Sequence, residues 1–454
     1  MKAPTVSVKH RNDNHRLRSV AKVIENLLTD CSAEHLSFTT LADFTSFISN
    51  TSILETMRCG FVRVDKKACL WMKQNGQYDC IVVEREDLPL TRSEIGVLKS
   101  FEKVLDGSYS DSRHGYSQSA SAIGVKYSLG NLLVASSIKG KASTGFYTLT
   151  LIFDELQELA LQRYEGRPCN SGFIYISQPD EQIRQIDELG YSIDHFEQKI
   201  LLEEGFFNGT VSHRYVDGRN SFYLIDNQRQ IYGVARNDDP GKYSIYDRSS
   251  FKHIDDLFSG NNGKLYVAYV GRNNDVVVIG KDNIYYKWNK LYWNAIDRTI
   301  LSDVIESETD LNKNELEALI SCLLTCSDLR YGTLISINGN ESCPSIGKID
   351  NSPLSNQVLN INTSKPISEI KENGSALPIL TSDGCVSLDM HGKLVSSGDI
   401  LDLASDKIGG ARLTGGGRTQ AAQAASMFGL AIKVSEDGPI TLFKDGKKIV
   451  ELRV

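Results

Sequence analysis

Between Phe206 and Trp293 the chain breaks into short runs of β-branched and aromatic residues: Phe222-Tyr223-Leu224-Ile225, Leu265-Tyr266-Val267, Val276-Val277-Val278-Ile279 and Ile284-Tyr285-Tyr286. Asp217-Gly218, Asp239-Pro240, Asn262-Gly263 and Asn273-Asn274 punctuate them. Apolar runs of strand length with turn signals between them read as strands, and they rule out an all-helical chain. The preceding sequence reads differently. Val20, Ala21, Val23, Ile24, Leu27 and Leu28 recur at helical spacing. Phe61, Val62 and Val64, and then Cys80 to Val83, read as short strands, whereas Leu151 to Tyr164 and Glu181 to Glu204 read as helices. Residues 1–205 are therefore expected to form an α/β region, and residues 206–300 a β-rich one. Ser108 to Ser121, rich in serine, is expected to be an exposed loop.

Net charge narrows the class. With Lys plus Arg at 50 and Asp plus Glu at 57 in 454 residues, the formal charge is −7, which disfavours nucleic acid as the main partner. The basic cluster Lys2, Lys9, Arg11, Arg16, Arg18 and Lys22 reads as a solvated helix face, with contact to a nucleic acid or an acidic partner as the alternative. Tyr285 to Trp293, mixing Tyr, Trp and Lys, has the composition of a base-stacking surface, but an ordinary packed strand is the preferred reading. No apolar run is long enough to span a bilayer, and the N-terminus is polar where a secretion signal would be apolar. Nine cysteines with no CxxC pair then suit reduced thiols in the cytoplasm. Cys322 and Cys326, one helical turn apart with no His nearby, are expected in the core.

From Leu301 onward helix and strand signals alternate again. Leu316, Leu319, Ile320, Leu323 and Leu324 share one stripe of a helix over Asp310 to Ser327, which leads to a strand over Gly332 to Ile337. A second strand is expected at Leu377-Pro378-Ile379-Leu380, then Thr381-Ser382-Asp383-Gly384-Cys385, a strand through Val386-Ser387-Leu388 and a tight turn at His391-Gly392. Further on, Thr414-Gly415-Gly416-Gly417-Arg418-Thr419-Gln420 runs into Ala- and Gln-rich sequence of high helix propensity. Backbone N–H groups at such a helix start suit a phosphate. Arg418 in the first turn opposes the helix dipole, an arrangement an anionic ligand would favour. No Gly-Lys-Ser/Thr follows, so this is not a Walker A loop. A flexible glycine loop ahead of a helix remains the alternative for these residues taken alone. Leu430 to Val434 reads as a strand ending in Ser435-Glu436-Asp437-Gly438, where carboxylates are also ordinary turn chemistry.

The order of these motifs resembles the diadenylate cyclase domain. The counterparts of the family's Gly-Ala-Leu-Ile, Asp-Gly-Ala, Gly-Thr-Arg-His-Arg-x-Ala and Val-Ser-Glu-Glu motifs are Gly332-Thr333-Leu334-Ile335, Asp383-Gly384-Cys385, Gly416-Gly417-Arg418-Thr419-Gln420-Ala421-Ala422 and Val434-Ser435-Glu436-Asp437. The likeness covers about the last 150 residues. It implies a domain over 301–454 with a mixed β-sheet flanked by helices, in an α/β chain overall, and makes the α/β region over 1–205 a sensor or assembly domain. It further implies condensation of two ATP into cyclic di-AMP by two domains meeting face to face in a homo-oligomer, with Mg or Mn as cofactor. Asp383, Arg418 and Glu436 would be catalytic, with Asp383 and Glu436 holding the metal. Gly384, Cys385, Gly415, Gly416, Gly417, Thr419, Gln420 and Ser435 would bind nucleotide. Thr419 and Gln420 stand where the family has His and a second Arg, which leaves a nucleotide-binding sensor of the same fold as the alternative reading.

Overall fold

A computed structural model describes residues 15–38, 40–48, 59–64, 67–74, 77–106, 128–139, 144–208, 212–258, 265–280, 284–339, 343–350, 352–408 and 413–453. It divides into two compact units: Met1–Pro240 with Ile254–Asp297, and Gly241–His253 with Arg298–Val454. Both are α/β, with mixed or antiparallel sheets flanked by helices.

In the first unit an antiparallel sheet runs β1 (Cys31–Phe38), β4 (Gln77–Arg85), β3 (Lys67–Gln74), β2 (Cys59–Val64). Alternation along β4 sends Tyr78, Cys80 and Val82 into a cluster with Phe38, Phe44 and Trp71. Ile81 and Val83 point the other way, into the unit's main core with Leu17, Val20, Ile24 and Leu27 of the His15–Leu27 helix. Arg18 on that helix is exposed, and Lys22 pairs at the surface with Glu25 at 3.1 Å. The more N-terminal members of the basic cluster, Lys2, Lys9 and Arg11, lie outside the described residues, as does Ser108 to Ser121.

A hairpin of β5 (Arg163–Tyr164) and β6 (Arg167–Pro168) precedes the unit's larger sheet. That sheet contains β7 (Gly172–Ile176), β8 (Tyr191–Leu201), β9 (Ser221–Asp226), β10 (Gln230–Asn237), β11 (Leu265–Val270), β12 (Val276–Ile279), β13 (Ile284–Trp288) and β14 (Trp293–Asp297). Their order is β14-β13-β12-β11-β7-β9-β10-β8, with β7 and β9 parallel. Tyr285, Tyr286 and Lys287 are buried in β13, so that part of the segment is a packed strand rather than a stacking surface, and the exposed Lys290 and Leu291 belong to the turn into β14.

Two expectations change here. Helix over Glu181 to Glu204 holds only for Pro179–Glu188; the remainder is β8, an edge strand paired with β10 alone and exposed along most of its length. Its charged composition is that of a protected edge, and it mimics a solvated helix. The sheet also takes β7 and β8 from before residue 205 and six strands from after it, so it crosses the boundary expected between 1–205 and 206–300. Residues 241–253 belong to the second unit, where the Tyr246 hydroxyl accepts the Leu377 N–H at 3.1 Å.

A polar network joins two helices to β14 in the first unit. Asn131 donates to Asp154 at 2.6 Å on the Thr144–Leu161 helix and accepts the Trp293 indole N–H at 2.6 Å. Burial, reinforced by the nearby Glu158, Glu155 and Glu204, pushes the Asp154 carboxyl up to about 7, against the lowering effect of the Asn131 bond.

The second unit holds one mixed sheet: β16 (Ser345–Lys348), β18 (Leu394–Leu401), β17 (Cys385–Asp389), β15 (Thr333–Asn338), β19 (Gly429–Val434), β20 (Ile440–Lys444) and β21 (Lys447–Leu452), in that order. Only β15 and β17 pair parallel; the other pairs are antiparallel. Leu334, Cys385, Ala431 and Phe443 meet Ala422 and Ala425 of the Gly417–Ala425 helix on one face. The Lys313–Asp328 helix, capped by the Asn312 side chain, buries Cys322 and Cys326. Desolvation raises both thiols, Cys326 to about 12. Leu377 to Leu380, expected as a strand, is the end of a short helix, Ala376–Leu380, in which Pro378 occupies the first turn and so displaces no helical hydrogen bond. Among the described residues no helix is long and apolar enough to cross a membrane.

Candidate functional site

Strand β15 decides where the candidate residues meet. Its second residue, Leu334, lies opposite Cys385 on β17 and opposite Lys433 on β19, and Thr333 lies opposite Val434. Because β17 runs parallel and β19 antiparallel, the start of β17 and the end of β19 flank the start of β15. Asp383-Gly384 and Ser435-Glu436 therefore emerge on either side of Gly332. At the usual strand spacing their backbones are about 10 Å apart.

Arg418 closes the gap from the helix side. Its Nη1 donates to Glu436 Oε1 at 3.2 Å, and its guanidinium lies across Gly332. A Cβ at Gly332 would fall 2.8 Å from Arg418 Cζ and 3.1 Å from Glu436 Cγ, so only glycine leaves room for this crossing. The pair is open to solvent, with Arg418 37% and Glu436 73% exposed.

The Asp383 turn is built tightly. Ser382 Oγ donates to Ile379 O at 2.7 Å and shares a 2.8 Å hydrogen bond with Ser397 Oγ. Gly384, at φ 96°, packs against the neighbouring strand so closely that a Cβ would sit 2.7 Å from the Gly398 carbonyl carbon; both the left-handed backbone and the space require glycine. Asp383 is exposed, and its Oδ1 accepts the Gly384 N–H at 3.1 Å. Cys385 differs from its expected place as a nucleotide contact: its side chain is 1% exposed and belongs to the apolar cluster beneath the site, where desolvation raises its thiol.

The glycine run forms the start of the Gly417–Ala425 helix. Gly416 is the N-cap, no side chain caps it, and the first turn carries no acidic residue. Gly416 and Gly417 face open space. Gly415, at φ 91°, lets the chain turn under Thr419, and its carbonyl accepts Gln420 Nε2 at 2.9 Å. Thr419 Oγ1 accepts from Lys433 Nζ at 3.1 Å. Ser435 opens the β19–β20 turn, its N–H bonded to Pro439 O at 2.9 Å and its carbonyl to Gly438 N at 2.9 Å. Ser327 Oγ fixes the turn from below through Gly438 O at 2.7 Å, and Arg330 holds the Asp437 carbonyl.

Two residues escaped sequence reasoning as members of this site. Gly332 stood in a recognised motif, but its steric role appears only with Arg418 on top of it. Lys433 interrupts an otherwise apolar strand, Leu430-Ala431-Ile432-Lys433-Val434, and that interruption was the available signal.

For a divalent cation the donor set is two carboxylates, Asp383 and Glu436. No group of three or more His, Cys, Asp or Glu residues gathers among the described residues. Two hard oxygen donors suit Mg or Mn, which take further ligands from phosphates and water. The end of β15 at Gly332 is thus flanked by the Asp383 and Glu436 segments, with the Arg418 guanidinium from an uncapped helix start lying across it. The chain matches no protein-family model and no curated protein.

Proposed function

We propose that the second unit is a diadenylate cyclase-like nucleotidyltransferase that condenses two ATP into cyclic di-AMP and two pyrophosphates. The observation that supports this most is the meeting of Asp383-Gly384, Gly332, Arg418 and Ser435-Glu436 at one end of β15. In this reading the helix start at Gly416 and Gly417 and the Arg418 guanidinium hold the phosphates. Asp383 orients the ribose 3′-hydroxyl and accepts its proton as the oxygen attacks the α-phosphorus of the facing nucleotide. The new phosphodiester P–O bond forms as the bond to the pyrophosphate oxygen breaks. Mg or Mn held by Asp383 and Glu436 would neutralise charge on the phosphates when bound. Each unit presents one nucleotide, so two copies must face each other, and the first unit is assigned the role of sensing or of setting that assembly.

Purified full-length protein incubated with each nucleoside triphosphate plus Mg or Mn, with products resolved by mass, tests the proposal. Cyclic di-AMP from ATP is the expected product. The second reading, a nucleotide-binding sensor, draws on the local engagement of Thr419 with Lys433 and of Gln420 with Gly415. Tight ATP binding with no product under either metal would favour it.

A further inference from the structure

Resting on that nucleotide reading, we propose that Lys433 is the second phosphate-binding cation of the site, supplying the positive charge that the neutral Gln420 does not. Lys433 sits on β19, an interior strand bonded to β15 on one side and β20 on the other, opposite Leu334 and Thr441. Alternation places it on the same face as Ala431, toward the Gly417–Ala425 helix, among Leu334, Ala422 and Phe443. That is a position for an aliphatic side chain. Lys433 is partly buried there and gives up some hydration and rotamer freedom, and among the described residues no carboxylate pairs with it. Its ammonium instead reaches Thr419 Oγ1 at 3.1 Å in the first turn of the helix.

The location compounds the cost. The helix start carries the positive end of the dipole, no acidic residue offsets it, and Arg418 brings a second cation to the same turn. Of the groups gathered here, Glu436 alone is paired with one of those cations, Arg418. Among the described residues Arg418 has Glu436 as its counter-charge, but Lys433 has a neutral hydroxyl alone, and a local rule broken in this way at a candidate site points to a compensating ligand. A triphosphate carries the missing negative charge. Lys433 has three N–H donors, and the Thr419 bond uses one, so the ammonium can hold phosphate oxygens while Thr419 fixes its direction. Gln420, bonded back to Gly415 O, contributes no charge.

Mg-ATP and, separately, inorganic tripolyphosphate titrated calorimetrically into full-length wild type, Lys433→Met, Lys433→Gln, Lys433→Arg and Arg418→Met test the assignment. Loss of one charge-assisted contact is expected to weaken both ligands about tenfold or more in Lys433→Met and Lys433→Gln, with a shallower dependence on salt. Lys433→Arg should restore much of the affinity. The thermal midpoint of Lys433→Met should hold or rise, whereas a merely structural lysine would lower it. Lys433→Gln keeps polarity without charge, so it decides the matter even if the methionine variant fails to fold. Wild-type affinity in Lys433→Gln, alongside lost affinity in Arg418→Met, would overturn the role of Lys433 and leave the nucleotide site standing. Failure of wild type to bind either ligand would overturn both.

Discussion

Replacing Gly332 by alanine tests the site without touching any of its polar groups. The added Cβ would lie 2.8 Å from Arg418 Cζ and 3.1 Å from Glu436 Cγ, where carbon atoms prefer about 3.5–4.0 Å. Arg418 Nη1 lies nearer still, so the guanidinium must retreat by about 1.5 Å. The atoms displaced are the ends of two solvent-exposed side chains, so the backbone can stay where it is. Gly332 does not use the left-handed region, and alanine there stiffens the unfolded chain, a gain of about 0.4–1 kcal/mol. Weakening the exposed Arg418–Glu436 pair removes about 0.2–1 kcal/mol. These effects oppose each other, and net stability should shift by less than about 1 kcal/mol. Function should not be so lightly affected. Losing one charge-assisted hydrogen bond to phosphate is worth about 1.5–3 kcal/mol, which is about a tenfold to hundredfold loss of ATP affinity. A 1 Å misplacement costs turnover about a hundredfold. Urea denaturation and calorimetric titration with Mg-ATP measure the two sides independently. ATP affinity within twofold of wild type would refute the assignment of Arg418 to the phosphates, and a stability loss of several kcal/mol would refute the claim that only side-chain ends move.

Asp383→Asn should abolish product formation while ATP still binds, measured by mass-resolved turnover beside titration; unchanged turnover removes Asp383 from the mechanism. Asp154 makes stability depend on pH. Its carboxyl, held up at about 7 chiefly by burial, would titrate near 3.9 in the unfolded chain, so the native state binds the proton more tightly. That contribution is fully present below about pH 4 and is lost as pH rises toward 7. Asp154→Asn, which keeps a hydrogen-bonding partner for Asn131, should flatten the fall in urea midpoint between pH 4.5 and 7.5; an unchanged slope would refute the account.

Much of the secondary structure was legible because its chemistry is local. Phe222 to Ile225, Val276 to Ile279 and Leu430 to Val434 are strands by composition and by the turns beside them, and the stripe Leu316, Leu319, Ile320, Leu323 and Leu324 lies in the Lys313–Asp328 helix. The misreadings came where composition serves two structures. Tyr191–Leu201 is a solvent-facing edge strand whose Asp, His, Glu, Gln and Lys would equally suit a helix surface. The four-residue run Leu377 to Leu380 is too short for periodicity to separate strand from helical turn. The site was legible as an order of motifs, but neighbours are set by register. That Asp383 and Glu436 flank Gly332 follows from β15 pairing parallel on one side and antiparallel on the other, and no local signal encodes that. Cys385 was placed correctly along the chain, yet its side chain turns inward with Leu334.

The mixed pairing of β15 also bears on when these residues can meet. Its two neighbours in the sheet are contributed by segments about 50 and 100 residues further along the chain, contacts that form late because long loops must close first. A chain in which β19 has yet to dock has no glutamate beside Gly332 and no lysine beneath Thr419, whatever its helices have already achieved. On the proposed reading, nucleotide capture would serve as a reporter of finished folding.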